Sequence, residues 1–189
     1  MNINRIFKLN NEEYKGGTIA YWMSREMRFS DNHALIFAQE RALKEKVPLF
    51  VFFFLSNKYL NATERHYVFM LEGLKSVALK LNINGIPFFM LTGEPYTAIE
   101  KFITTYKIGE IITDFETVKI KKNWQSGIQS RISIPFYDVD SRNTVPCRII
   151  SNKQEWSAFT IRGKIKRIFD EYFDDFSEII CHPFQDEIK

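Results

Sequence analysis

Apolar residues along the chain alternate between two regimes. Short continuous runs at 19–23 (IAYWM), 48–55 (PLFVFFFL), 87–93 (PFFMLTG), 110–115 (EIITDF) and 135–140 (PFYDVD) read as strands. The 48–55 run, aromatic and unbroken, is what a strand covered on both faces requires. Between these runs, apolar positions recur at helical spacing. A helix begins near Asp31, and 61–83 places Tyr67, Met70, Leu74, Val77 and Leu81 on one stripe. Asn61 with Glu64 has capping-box spacing at its start, and Asn84-Gly85 marks its stop. Pro95 suits the first position of the next helix, which buries Ile99, Phe102, Ile103 and Tyr106. A weaker helix covers about 118–131. A long one covers about 153–172, with Ser151 and Gln154 as its expected cap.

Five strands alternating with helices predict an α/β fold, a doubly wound, Rossmann-like, five-stranded parallel sheet with a long C-terminal helix. Counting strands along the chain, the expected order is 3-2-1-4-5. Ligands in such sheets sit beyond the carboxyl ends of the strands, where the order reverses. That nominates the loops 24–30 and 114–117, with the end of the second strand as the nearest wall.

The first loop, SREMRFS, contains no glycine, so it is no pyrophosphate cradle of the G-x-G-x-x-G kind. Its surroundings suit a planar aromatic ligand better than a bare phosphate. Asp114 can accept from a ring N–H, and Arg25 or Arg28 can pair with an anionic tail. Phe54, Phe115 and Met23 offer apolar or stacking surface. The candidate binding set is therefore Met23, Ser24, Arg25, Phe54, Asp114 and Phe115. The plainer alternative has Asp114 capping the next helix and Arg25–Glu26 forming a surface ion pair.

Composition removes other chemistries. His33, His66 and His182 have no partners at metal-ligand or triad spacing and are expected on the surface or on helices; no P-loop, G-x-S-x-G or H-E-x-x-H occurs. Cys147 and Cys181 have no metal spacing and read as free thiols. No apolar run is long enough for a bilayer and no signal-peptide core opens the chain, so a cytoplasmic protein without membrane contact is expected. The net charge of +3 hides an uneven distribution, a local +8 over 119–167 and −6 over 168–189. The basic block can face phosphate, water or an acidic partner, and only weak, sequence-blind DNA binding is expected of it.

The stretch YWMSREMRFSDNHAL resembles the start of class II DNA photolyases, which typically show Y-W-M-S-R-D-Q-R and then D-N-W-A-L. The likeness continues in order through VPLFVFFFL, ATERHYVFMLEGL, IPFFMLTGEP, IGEIITDF, PFYDVDSRNTVP and SNKQEWSAFTIRGKI. Departures are Glu26 for Asp, Met27 for Gln, His33 for Trp and Ser141 for Ala. The resemblance implies an N-terminal extension (1–16), a photolyase-like α/β domain (17–150), and a C-terminal helix and tail (151–189) leading toward a flavin domain that this chain lacks. It implies a light-harvesting role in repair of pyrimidine dimers in DNA by a lyase, with a deazaflavin or FMN-like antenna chromophore at the candidate set. FAD would sit only in a separate or missing helical domain, the implied partner, and this chain alone is expected to be inactive. An apolar stripe at the C-terminal helix also raises a homodimer. The alternatives are a free-standing nucleotide or small-molecule binder, or an inert remnant, on the same scaffold.

Overall fold

Strands β2 (Thr18–Met23), β3 (Leu49–Phe54) and β5 (Ile108–Asp114) are buried along their whole length, as their unbroken apolar runs demand. They form the middle of one sheet in a computed structural model that describes residues 1–57, 59–173 and 175–185. With β1 (Ile6–Lys8), β4 (Phe88–Leu91) and β6 (Phe136–Val139), the strand order is β1-β6-β5-β2-β3-β4. The five parallel strands follow the expected doubly wound order. The sixth, β1, was not legible: it is three residues long and pairs antiparallel to β6, Ile6 against Val139 and Lys8 against Tyr137.

Alternation along the strands divides the core in two. Tyr21, Met23, Val51 and Phe53 face α1 (His33–Glu45) and α2 (Glu64–Ile83). Ala20, Trp22, Phe50 and Phe52 face the other layer, α3 (Pro95–Thr105) and α4 (Lys119–Gln129). There Trp22 stacks between Phe52 and Phe136, with ring centroids 6.0 and 6.4 Å away. Gly109 makes the closest backbone approach: the β2–β5 register shifts beside it, and a Cβ there would lie 2.0 Å from the Gly16 carbonyl.

Two caps differ from expectation. α2 starts at Thr63, not Asn61, and its box partner is His66, whose Nδ1 accepts from the Thr63 amide at 3.1 Å. The last long helix, α6 (Ala158–Ile168), starts later than expected and is capped by Ser157 rather than Ser151. Before it lies a single turn, α5 (Cys147–Ile150). α6 buries none of its residues; its Phe159 is 89% exposed, and Trp156 just before it is 85% exposed. Only at Tyr172, in a 3-10 turn, does this segment return to the body, where the buried Arg5 donates to the carbonyls of Tyr172, Asp140, Asn143 and Thr144. The tail then crosses α1. Phe176 stacks on His33 at 4.3 Å, Gln39 bonds the backbone of Glu178 and Ile180, and the His182 Nε2 meets the Val47 carbonyl at 2.9 Å. His33 and His182 are thus buried packing residues: His33 opens helix α1, within the expectation, whereas His182 is on neither the surface nor a helix, a correction to it. Among the described residues, no helix is long and apolar enough to cross a membrane.

Candidate functional site

The loop after β2 does cradle an anion, and that anion is the protein's own. Asp114, the last residue of β5, is buried, and its Oδ2 accepts from the backbone amides of Ser24, Arg25 and Glu26 at 2.9, 2.6 and 2.9 Å. Its Oδ1 accepts from the Tyr21 hydroxyl at 2.6 Å. Consecutive amides converging on one oxygen form an anion nest, the geometry that glycine-rich loops offer to phosphate. Burial outweighs these four bonds and holds the carboxyl above the usual carboxylate range, while burial and the adjacent carboxylate push the Tyr21 phenol up. Asn32, the N-cap of α1, donates to the Tyr21 oxygen and to the carbonyls of Glu26 and Arg28, which fixes the loop from its other end.

The charged side chains of the loop are equally committed. Arg25 donates to Glu116 Oε1 at 2.8 Å and to the Thr117 hydroxyl at 2.7 Å. The buried Glu26 sits between Arg28 at 2.6 Å and Arg142 at 3.0 Å. Asp114 and Arg25 were expected to face a ligand, and the structure turns both inward to hold the loop. The crevice between β2 and β5 is filled by this network.

Beside the filled crevice, over the carboxyl ends of β2 and β3, a cavity of about 180 Å³ opens beneath the N-terminus of α2. Phe54, Tyr59 and Trp124 are its aromatic walls; the Trp124 ring lies edge-on to Phe54 at 5.4 Å and 6.2 Å from Tyr59. Met27 and Met70 add adaptable apolar surface. The Tyr67 hydroxyl donates to the Ser56 carbonyl and accepts from the Tyr59 amide, both at 2.9 Å, and so ties the β3–α2 connection down as a wall. Lys121, in the first turn of α4, donates to the Ser24 carbonyl and stands 3.7 Å from Glu116 Oε2. Burial lowers its ammonium pKa. Ser24 also contributes to this wall, and its hydroxyl is buried with no hydrogen-bond partner among the described residues.

Of the six candidate residues, Ser24 and Phe54 line the cavity. Met23 belongs to the core beneath it, and Phe115 packs under the Arg148 guanidinium, 4.7 Å from its ring centre. Lys121, Trp124, Tyr59 and Met70 were not found from the sequence. They come from two helices and a connecting segment, and only the fold brings them to the end of β3. Among the described residues no cluster of His, Cys, Asp and Glu could hold a metal ion.

A family model described as DNA photolyase matches residues 19–183. A deoxyribodipyrimidine photo-lyase of Potorous tridactylus is 42% identical over 171 residues, which are 89% of this chain and 32% of that protein. Its namesakes in Arabidopsis thaliana and Methanothermobacter thermautotrophicus are 34% and 36% identical; the match covers 86% and 88% of this chain, and 33% and 38% of those proteins. The chain thus spans about a third of the length of the curated relatives it matches. With nearly all of its sheet and helices inside the matched region, this chain belongs to the DNA photolyase family.

Proposed function

We propose that this α/β domain holds a planar, light-absorbing chromophore, a deazaflavin or FMN-like ring, in the cavity beneath α2 and serves as the antenna unit in light-driven repair of pyrimidine dimers. The observation that carries the reading is the cavity itself, three aromatic walls at the carboxyl ends of parallel strands. The bound group would supply absorption and energy transfer. The protein's part is to exclude water and to hold the ring against Phe54 and Trp124. FAD and the electron-transfer step would belong to a helical domain outside this sequence, so no dimer repair is expected from this chain alone.

Titration of FMN and of 5-deazariboflavin, read by absorbance and ring fluorescence, tests the reading. Removal of one stacking wall, by Phe54→Ala or Trp124→Ala, should weaken binding about tenfold, in line with roughly 0.5–1.5 kcal/mol for an aromatic pair plus lost buried area. No binding to the intact protein would refute the proposal.

A cavity of about 180 Å³ is smaller than the roughly 300–1,000 Å³ of ordinary ligand sites, so it would take a fused-ring head with any polar arm left outside. The same size favours a second reading, a binder of a smaller aromatic molecule on the same scaffold. The partner reading is supported by α6, whose Phe159 is exposed together with the preceding Trp156 and which has no fully buried residue. The flavin-domain partner would cover that face, and DNA would touch the basic side of α6 only weakly and without regard to sequence. The two exposed thiols, Cys147 and Cys181, suit a cytoplasmic location.

A further inference from the structure

We propose that a second cavity, between the start of α1 and the loop after β6, is an anion site that takes a tetrahedral phosphate group, free or carried by a small molecule. It shares no lining residue with the cavity beneath α2 and stands independently of the chromophore reading.

The cavity measures about 210 Å³, and the charged residues in its lining are Arg5, Arg28 and Arg142. Glu26 can neutralise only one of the two guanidiniums it touches, Arg28 at 2.6 Å and Arg142 at 3.0 Å. The nearby Asp140 carboxylate accepts from the Asn143 side chain and from the amides of Asn143 and Cys147. Asp31, Asp170, Glu171 and Asp175 are exposed, where water and salt screen them. Arg28 spends its donors on Glu26 and on the carbonyls of Asp31 and Ser141. Arg142 makes one hydrogen bond among the described residues, from Nε to Glu26, so both of its Nη groups stay open as a fork of donors.

His33 is a second, independent sign of a ligand. It is 6% exposed, and neither ring nitrogen has a hydrogen-bond partner among the described residues. Nδ1 is shut off from solvent, which leaves Nε2 as the nitrogen open to the cavity that His33 lines. Burial, then Arg5, the N-terminal amine and Arg28 hold the ring's pKa down at about 4. Those three cations would favour an anion for the same reason that they disfavour an imidazolium. Helix α1, thirteen residues long, starts at His33 and adds the positive end of its dipole.

Three of the four departures from the photolyase pattern gather here. His33 stands where the pattern has Trp, Ser141 where it has Ala, and Glu26, in place of Asp, joins the two arginines. Histidine in place of the larger indole opens space and supplies a polar ring edge. The Ser141 hydroxyl accepts from the Ala34 amide at 2.9 Å and so fixes the start of α1 against the loop after β6. Phe173 and Phe176, 74% and 39% exposed, offer a flat rim for an organic group attached to the phosphate.

Inorganic phosphate and AMP are titrated calorimetrically into the full chain at low ionic strength, in a buffer free of both phosphate and sulfate. Binding with a Kd of about 1 mM or tighter is expected. AMP binding far more tightly than phosphate would identify a small organic phosphate, and equal binding free phosphate; either supports the site. Arg142→Gln, at a half-exposed position, should weaken binding at least about tenfold, as expected for a lost charge-assisted hydrogen bond. His33→Trp should abolish it, with circular dichroism establishing that both variants fold. Sulfate does not itself titrate where His33 does, and at saturation it should raise the pKa of the His33 ring, followed by NMR, by about one unit or more. No binding of either phosphate probe, an Arg142→Gln variant that binds like the intact protein, or a His33 ring indifferent to sulfate would overturn the proposal. Because 5-deazariboflavin carries no phosphate, its binding reports on the other cavity alone.

Discussion

The Tyr21 hydroxyl donates to the Asp114 carboxylate at 2.6 Å, and both groups are buried below the loop that joins β2 to α1. The pair anchors the glycine-free loop at the reversal point of the sheet. The second oxygen of Asp114 collects three loop amides, so the loop closes over an internal carboxylate and diverts the cavity to the end of β3.

Removing Asp114 should therefore cost stability. Asp114→Ala leaves three amides and a phenol buried without their acceptor, at about 1–3 kcal/mol for each group that water cannot reach. Partial rehydration brings the expected loss to about 3 kcal/mol, a fall in Tm of roughly 10 °C for a chain of this size. Tyr21→Phe removes a single bond and should cost about 1–2 kcal/mol. Urea unfolding of the two variants checks both, and an unchanged midpoint for Asp114→Ala would contradict the assigned role.

His33 predicts a pH dependence. Burial, with Arg5, the N-terminus and Arg28 nearby, lowers its pKa from 6.5 to about 4. The folded protein therefore keeps the ring neutral where the unfolded chain protonates it. The stability this contributes is fully present above pH 6.5 and is lost as pH falls toward 4. Discounted for solvent screening, the shift corresponds to about 2 kcal/mol. His33→Phe, which keeps a ring for Phe176 to stack on, should flatten the stability slope between pH 6.5 and 4 relative to the parent. His182 is shifted in the same direction by burial and remains in both proteins, so the difference isolates His33. Parallel slopes would count against it.

The face around α6 should associate. Trp156, Phe159 and Phe173 are 85%, 89% and 74% exposed, and Ile161, Ile165 and Phe169 line a shallow groove beside them. Without a covering partner the chain is expected to sediment as a dimer at high concentration, and Trp156→Ser with Phe159→Ser should return it to monomer. A monomer at every concentration would show that this face needs no partner.

How much of this was legible in the sequence follows from what each residue answers to. β2, β3 and β5 were readable because strands covered on both faces need unbroken apolar runs, and their order followed from the alternation with helices. β1 was not, because three residues at an edge carry no period. Thr63 took the α2 cap from Asn61 through the nearby His66 side chain, which no acid-based capping pattern would nominate. The reversal point was found, but not the direction in which Asp114 points. That is decided by the Tyr21 hydroxyl and three amides whose convergence exists only after the sheet has formed. Trp124 and Lys121 lie 67 or more residues from Phe54 along the chain, and only the packing of α4 brings them to it.

The proposed ligand site lies beside Asp114 and not on it. A crystal structure of the chain with 5-deazariboflavin bound tests that directly. The ring is expected between Phe54 and Trp124, with the Asp114–Tyr21 bond and the three loop amides undisturbed. A ring seated instead against Asp114 and Arg25, with the loop opened to admit it, would contradict the account.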